Sequence, residues 1–499
     1  MALGLVAVVA AGALLLSGRS GTDPETPAGL PGLPPPFLGV AVLGDGESTA
    51  AVDAYGNVVD LRPGPAGRAL IENSSERQAA GSAPEDTGIQ VWARVDGEMV
   101  PMWRADEMRQ RYLPGTNVLR TTGWFGRERV RIEAAAGEGT LAMTATGPGT
   151  VEIRVNATVD CRGEKSPHTA EIVCGPQHRT VAELTEKAAA SDRRWLIRAD
   201  PLGGSAPPWA TQMYERSLLV LHALTDRRTG AVAAGARDGW AYVWPRDASA
   251  VAIALADAGY RPEAELISQF LLGAGIEFAA RFHGDGNPVP GRAAQGDAIG
   301  WVAATSEAAG LGSAHQAAHI LAGGNPIPWR GRADYWEGGP GDYLGNALAS
   351  GEPAIRHLYG AKVPARLVRQ PGDPESGLDS AAAWAVRPFS ARRLYPAARS
   401  TMKRLVAEGT RFGITPGEAW PGGDDPWSAP TAWTAWSLAA LGERREALRL
   451  MNDLRRSATP ASALPERVDA EGGVPRSTTP LAWSHAFAIL ALRELWPSA

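Results

Sequence analysis

Aromatic and charged side chains are concentrated in three short segments of this chain. The first, residues 239–248, reads Gly-Trp-Ala-Tyr-Val-Trp-Pro-Arg-Asp-Ala. Arg246 and Asp247 could form charge-assisted hydrogen bonds with the hydroxyl groups of a sugar, and tryptophan rings can cover the apolar face of such a ligand. Asp247 could instead serve only to cap the helix that is predicted to follow it. The three aromatic residues upstream favour a loop that faces a ligand.

The other two segments each carry a glutamate that could take part in acid–base chemistry. Glu337 lies between Trp336 and a Gly-Gly-Pro sequence, so we expect it in a loop. An apolar neighbour raises the pKa of a carboxyl group by desolvation, as a general acid requires. A purely structural loop carboxylate is the alternative. Glu466 follows Pro465 and is expected in a loop or short strand, ahead of a predicted helix with Trp483 near its N-terminus.

The elements that would position these segments change character along the chain. Between residues 37 and 200, polar and apolar residues alternate over short stretches such as 129–133, which predicts antiparallel strands in a β-sandwich. After Trp209 the apolar residues recur with helical periodicity. The predicted helices span 182–194, 214–224, 248–258, 263–272, 298–309, 378–386, 397–408, 432–441, 445–454 and 481–492. No repeat of fixed length is visible, which favours a closed double ring of helices over a solenoid.

In this order, the segments resemble those of glycoside hydrolase family 15, the group of glucoamylases, glucodextranases and bacterial trehalases. The matching motifs are Trp-Pro-Arg-Asp at 244–247, Tyr-Trp-Glu at 335–337, Pro-Glu at 465–466 and Trp-Ser-His-Ala at 483–486. Residues 43–60 and 111–119 resemble motifs in the β domain of that family. The resemblance therefore extends over residues 37–495.

The resemblance implies an N-terminal antiparallel β-sandwich followed by an (α/α)6 barrel that hydrolyses α-glucosidic bonds with inversion. In that comparison Glu337 matches the general acid and Glu466 the general base. Inversion requires the two carboxyl groups to lie roughly 6.5–9.5 Å apart, with space for a water molecule. The residues that match a substrate pocket, or support the acid, are Trp240, Trp244, Arg246, Asp247, Asp334, Trp336, Trp427 and Trp483. The expected ligand is an α-glucan or an α-glucosyl oligosaccharide.

Several positions depart from the family pattern. Thr415 stands where that family has an arginine that contacts the sugar, Gly338 replaces a polar residue, and Arg467 replaces a glutamine. Altered sugar contacts beside retained carboxylates suggest shifted specificity or reduced activity. A non-hydrolytic glycan-binding homologue therefore stays open as an alternative, as does another helical-toroid enzyme such as a lyase or a phosphorolytic enzyme.

The composition is that of a globular protein of several domains. The chain has 499 residues, of which 44% are hydrophobic, and a net charge of −5, which argues against a dedicated nucleic-acid-binding protein. Seventeen tryptophans beside eight phenylalanines favour a site that stacks flat ligands. We expect a signal or anchor segment and linker over 1–36, a β-sandwich domain over 37–200 and a catalytic barrel over 207–499.

An apolar run at residues 2–16 predicts export. The run is shorter than the roughly 20 residues that span a bilayer, which fits a signal peptide, although an uncleaved anchor or a buried helix are alternatives. The protein would then be extracellular or held at the outer face of the cell membrane. Cys161 and Cys174 are expected to form a disulfide there, with two free thiols as the alternative.

We expect no cofactor and no metal ion. His315 and His319 have the spacing of zinc-binding histidines, but Gln316 stands where such sites have a catalytic glutamate. Asp424 and Asp425 fit a solvated loop better than a calcium site. No phosphate-binding glycine loop or dinucleotide-binding motif occurs in the sequence.

Overall fold

The computed structural model describes residues 29–72, 88–157, 159–237, 239–312 and 329–498. Strands make up the first part of the chain and helices the second. The apolar run at 2–16 and the histidines at 315 and 319 lie outside the described residues. Within the described residues no helix is both long and apolar enough to cross a membrane.

The N-terminal part forms two antiparallel sheets that contact each other. One sheet has the strand order β1-β2-β3-β5-β11, with β4 paired to β3 and β6 to β5, and the other has the order β12-β13-β10-β9-β8-β7. In β8, Leu119, Thr121, Gly123 and Phe125 are buried and the residues between them are half-exposed, which is the alternation expected of a strand with one covered face. The strands are β1 Gly39–Gly44, β2 Thr49–Asp53, β3 Val58–Arg62, β4 Ile71–Glu72, β5 Gly88–Val95, β6 Glu98–Pro101, β7 Glu107–Tyr112, β8 Leu119–Phe125, β9 Glu128–Gly137, β10 Thr140–Thr146, β11 Val151–Asn156, β12 Cys161–Ser166 and β13 Thr169–Cys174.

The two cysteines are joined in a disulfide at the edge of the second sheet. Cys161 in β12 lies directly opposite Cys174 in β13, and the bond closes this hairpin. The structure therefore contains the disulfide predicted from the sequence.

The C-terminal part consists of helices joined by loops. These are α1 Val181–Ile197, α2 Pro208–Leu224, α3 Pro245–Asp257, α4 Arg261–Gly273, α5 Ala298–Ala308, α6 Leu344–Ser350, α7 Glu352–Tyr359, α8 Tyr395–Glu408, α9 Ser428–Ala440, α10 Arg444–Ser457 and α11 Ala482–Leu495. The α-helix predicted over 378–386 is wrong, because this stretch forms a short 3₁₀ helix, Ser380–Ala385. Pro388 lies three residues beyond it, and proline cannot continue a helix. The short helices α6 and α7 were not predicted.

Six helical segments contact one another in a closed ring. Helix α3 packs against α5, α5 against α6, α6 against the 3₁₀ helix, that helix against α9, α9 against α11, and α11 against α3. Helices α2, α4, α8 and α10 pack against members of this ring from other sides. The chain thus has N-terminal antiparallel sheets followed by a ring of helices.

Large aromatic side chains fill part of the space between the ring helices. Trp301, Trp384 and Trp433 are fully buried, with centroids of neighbouring rings 5.2–5.4 Å apart. Phe487 of α11 packs edge-on against Trp433. Part of the tryptophan excess therefore belongs to the core, where edge-to-face aromatic contacts are favourable.

The sheets are joined to the helices by a buried polar cluster. Arg216 of α2 donates to Asn117 Oδ1 (2.8 Å) and to the carbonyl of Thr116 (2.7 Å), and its guanidinium lies 3.7 Å from the ring centroid of Tyr112. Asn117 in turn donates to the carbonyl of Leu219 in α2 (2.9 Å). Residues 111–119, singled out in the sequence, thus fix the β part against the helices.

Candidate active site

A cavity at one end of the helical ring brings the three sequence segments together. It lies at the N-terminal ends of α3 and α9, whose N-cap residues are Trp244 and Trp427, and beside the first residues of α11. The predicted residues that line it are Trp240, Trp244, Arg246, Asp247, Trp336, Glu337, Trp427, Glu466 and Trp483. Asp334, the remaining predicted residue, is buried behind the wall.

Glu466 is fixed by its backbone as well as by its side chain. Its N–H donates to the carbonyl of Thr478, and its carbonyl accepts from the N–H of Ser428 at the start of α9. One carboxylate oxygen accepts from the indole N–H of Trp240 (3.3 Å) and the other from the hydroxyl of Ser477. Burial raises the pKa of Glu466, while these two hydrogen bonds oppose the increase because they favour the charged form.

Arg246 and Asp247 lie in the first turn of α3, where Pro245 is compatible with the start of a helix. Arg246 donates to Gln295 Oε1 (2.8 Å) and Asp297 Oδ2 (2.9 Å), so its guanidinium is held in place while buried. Burial raises the pKa of Asp247 to about 7, although Arg246 lowers it. Trp244, not Asp247, occupies the N-cap position, so capping does not account for this carboxylate.

Glu337 lies on a tight turn that Asp334 holds. The N–H of Glu337 donates to the carbonyl of Asp334 (2.9 Å), and Glu337 has a φ of 59°, which is uncommon for a residue other than glycine. The buried Asp334 carboxylate accepts two hydrogen bonds from Arg369, at 2.7 and 2.9 Å. This bidentate ion pair fixes the turn that presents Glu337 to the cavity.

The surroundings of Glu337 differ from the sequence expectation. Its side chain is 38% exposed and forms an ion pair with Arg292, whereas the sequence suggested desolvation by Trp336. The Arg292 guanidinium also lies 5.9 Å from the ring centroid of Trp244. The guanidinium group of Arg292 therefore lies in the cavity beside the candidate acid. The sequence analysis did not identify this residue.

The cavity wall is rich in tryptophan side chains. The indole N–H groups of Trp336, Trp420, Trp427 and Trp483 are buried and unpartnered among the described residues. Trp336, Trp420 and Trp427 pack edge to face, with successive centroids 5.1 Å apart. Such an aromatic wall suits a ligand with exposed C–H faces, as a sugar has.

The positions that depart from the family pattern have local explanations. A Cβ at Gly338 would lie 2.4 Å from Nη2 of Arg369, so the Asp334–Arg369 pair leaves no room for a side chain there. Arg467 forms an ion pair with Asp425 (3.3 Å), one of the two aspartates considered for calcium. Thr415 donates to the carbonyl of Gly417 and does not line the cavity.

Among the lining residues that the sequence analysis did not assign to the site, three have aromatic or charged side chains: Tyr335, Trp420 and Arg292. Tyr335 was part of a recognised motif but was not assigned to the site, and Trp420 lies in the stretch before Trp427 where aromatic residues were a usable signal. Arg292 gave no signal, because it lies among glycine, proline and alanine residues in a loop between α4 and α5.

Comparisons with known proteins agree with the family resemblance found in the sequence. The model of the family "Glycosyl hydrolases family 15" matches residues 208–284, a range that covers α2, α3 and the Trp-Pro-Arg-Asp motif. No curated protein matches the chain. A solved bacterial glucoamylase in complex with acarbose matches with a TM-score of 0.66 and 13% identity, over 96% of this chain and 96% of that chain.

Two further solved structures cover a smaller share of the chain. A wild-type glycosidase matches with a TM-score of 0.51 and 19% identity, over 58% of this chain and 99% of that chain. A variant glycosidase in complex with glucose matches with a TM-score of 0.50 and 19% identity, over the same shares. The resemblance to glycoside hydrolase family 15 is confirmed, and the chain has a glucoamylase-like fold.

Proposed function

From this fold and this cavity, we propose that the protein is an inverting, exo-acting α-glucoside hydrolase. It would release β-glucose from the ends of α-glucans or from α-glucosyl disaccharides, with Glu337 as general acid and Glu466 as general base. The closed ring of six helical segments would be the inner layer of an (α/α)6 barrel. The observation that carries the proposal is that two glutamates far apart in sequence line one cavity whose wall is rich in tryptophan.

Inversion assigns the two carboxyl groups opposite tasks. Glu337 would donate its proton to the glycosidic oxygen as the bond to the anomeric carbon breaks. Glu466 would remove a proton from a water molecule that attacks the same carbon from the opposite face. The hydrogen bonds from Trp240 and Ser477 favour the ionised form of Glu466, which is the form a base requires.

The remaining cavity residues suit the terminal glucose unit. Arg246 supplies a charged donor and Asp247 a carboxyl group for hydroxyl groups of the sugar, and charge-assisted hydrogen bonds are the stronger kind. The acarbose and glucose bound to the solved glucoamylase and glycosidase support a glucose-containing ligand here. Membrane attachment through residues 2–16 remains an alternative to cleavage of a signal peptide.

The experiment is a glucose-release assay on maltose, soluble starch, isomaltose, dextran and trehalose. We expect at least one substrate to be hydrolysed, and Glu337→Gln and Glu466→Gln each to lower kcat by about 10²–10⁴-fold, the usual contribution of a general acid or base. Glu471→Gln is the matched control, because Glu471 is exposed on the same loop as Glu466. Activity that survives both substitutions would exclude the assigned roles.

A catalytically weak or inactive glycan-binding homologue is the second candidate. The ion pair between Arg292 and Glu337 favours it, because a neighbouring cation stabilises the carboxylate form over the proton-bearing form that an acid needs. Binding of maltose or of a longer α-glucan, without glucose release from any member of the panel, would support this candidate.

A further inference from the structure

Arg292 places a positive charge in the candidate active site, next to Glu337. Its side chain is 40% exposed, lines the cavity and forms an ion pair with Glu337. Its charge also acts on Glu466, whose pKa it lowers. Neither catalytic role requires a cation in this position.

A second arginine, Arg281, approaches the same lining tryptophan, Trp244, without lining the cavity itself. The guanidinium of Arg281 is 4.8 Å from the ring centroid of Tyr242 and 5.6 Å from that of Trp244, the ring that Arg292 also approaches. Its Nε is buried without a hydrogen-bond partner, and no carboxylate among the described residues pairs with it. Burial and then the charge of Arg281 lower the pKa of Arg292, as expected of two cations near one another.

The proposed acid step removes a negative charge that balances these two cations. Glu337 must carry a proton before it can act as an acid, and a neutral carboxyl group no longer balances the charge of Arg292. Glu466 would then be the one carboxylate still acting on Arg292, so Arg292 in the cavity wall and Arg281 next to it would keep an excess of positive charge, which is unfavourable where hydration is restricted. Guanidinium groups bind planar carboxylates through paired hydrogen bonds, so an anion on the substrate can restore the balance.

We propose that Arg292, with the charge of Arg281 behind it on Trp244, forms a subsite for a carboxylate carried by the leaving part of the substrate. The leaving part is the side concerned because Arg292 contacts the group that would protonate the glycosidic oxygen. This inference rests on the proposed function and narrows its substrate class to α-glucosides of acidic aglycones. On binding, the substrate carboxylate replaces Glu337 as the partner of Arg292 and leaves Glu337 free to hold its proton.

The test compares 4-(carboxymethyl)phenyl α-glucoside with 4-(carbamoylmethyl)phenyl α-glucoside, which have similar leaving groups and differ in charge. We expect kcat/KM to be about tenfold or more higher for the carboxylate, the effect of one charge-assisted hydrogen bond. In Arg292→Gln this ratio should fall to about one, and in Arg281→Gln it should fall part of the way, because Arg281 acts only through its charge. Arg330→Gln is the control that should keep the full ratio, because Arg330 is exposed and paired with Asp342 away from the cavity.

Failure of the subsite can be told apart from failure of the proposed function. Equal kcat/KM values for the two glucosides would overturn the subsite and leave the hydrolase intact. If neither glucoside is hydrolysed, the Kd of each compound measured by titration calorimetry decides whether the subsite exists. A tenfold preference in Kd that Arg292→Gln abolishes would support the subsite, and equal or undetectable affinities would overturn it.

Discussion

At the scale of single residues, the sequence was most informative where chemistry and backbone geometry coincide. Glu337, Glu466, Arg246 and Asp247 were all identified from their aromatic and proline neighbours, and all four line one cavity. Arg292 was not identified, because its role depends on where a loop folds and no neighbouring residue restricts that. The candidate acid and base were therefore predictable, whereas the charge beside the acid was not.

Ser477 is expected to act as a positioning residue for Glu466. Its hydroxyl donates to the Glu466 carboxylate and lowers the pKa of that group, so Ser477→Ala should raise it. The acidic limb of the kcat/KM profile should then move to higher pH, and activity should recover in alkaline buffer. The pH profiles of the two enzymes decide this, with Ser166→Ala, in the exposed β12–β13 hairpin, as the control. A uniform loss of activity at every pH would mean that Ser477 has only a structural role.

At the scale of elements, loops and helix ends carry the site while helix interiors carry the core. Trp244 and Trp427 cap helices at the cavity, whereas Trp301, Trp384 and Trp433 pack between helices. Composition alone could not divide the tryptophans between these tasks. Periodicity located most helices but missed α6 and α7, which show only about two turns each, and it predicted an α-helix where Ser380–Ala385 forms a 3₁₀ helix.

Substitution of Gly338 tests whether the Asp334–Arg369 ion pair holds the turn that presents Glu337. In Gly338→Ala the new Cβ would displace Arg369 from Asp334 and loosen the turn that presents Glu337. We expect kcat/KM to fall by about 10–100-fold, since small misplacements of a catalytic group have effects of that size. Gly339→Ala is the matched control, because a Cβ there meets no atom within 4 Å. Equal activity of both variants in the glucose-release assay would contradict this account.

Asp192 of α1 makes a pH-dependent contribution at the junction of sheets and helices. It accepts from the N–H of Asn117 (2.7 Å), and burial raises its pKa to about 7. Between its unfolded pKa and about 7 the folded state binds more protons than the unfolded state, so this contribution to stability falls as pH rises. Urea unfolding at pH 5 and pH 8 should show a smaller loss of stability at pH 8 for Asp192→Asn than for the parent protein. An equal loss in both proteins would exclude this role for Asp192.

At the scale of the whole molecule, the antiparallel sheets contact the helical part mainly through α1 and α2. The order of the β part and the helical part along the chain was predictable, because strand and helix periodicities differ clearly on either side of residues 200–208. The closed ring of contacts depends on long-range packing, which local patterns do not encode. The Cys161–Cys174 disulfide is typical of exported proteins and supports the export that we propose from residues 2–16.

The disulfide should stabilise the protein without affecting catalysis. It closes a short loop at a sheet edge, and such bonds contribute about 2–4 kcal/mol. Replacing both Cys161 and Cys174 by alanine should lower Tm and leave kcat and KM unchanged. Calorimetric melting and the glucose-release assay on the same preparations would show this. A change in kcat would indicate that the hairpin communicates with the cavity.

The central claim is that Glu337 and Glu466 act together in an inverting hydrolysis. The most direct measurement is proton NMR of the first glucose released from the best substrate of the panel, recorded before the anomers interconvert. We predict β-glucose as the initial product, absent when either glutamate is replaced by glutamine. Initial release of α-glucose would contradict the account, because it would require a retaining reaction that this pair of roles cannot perform.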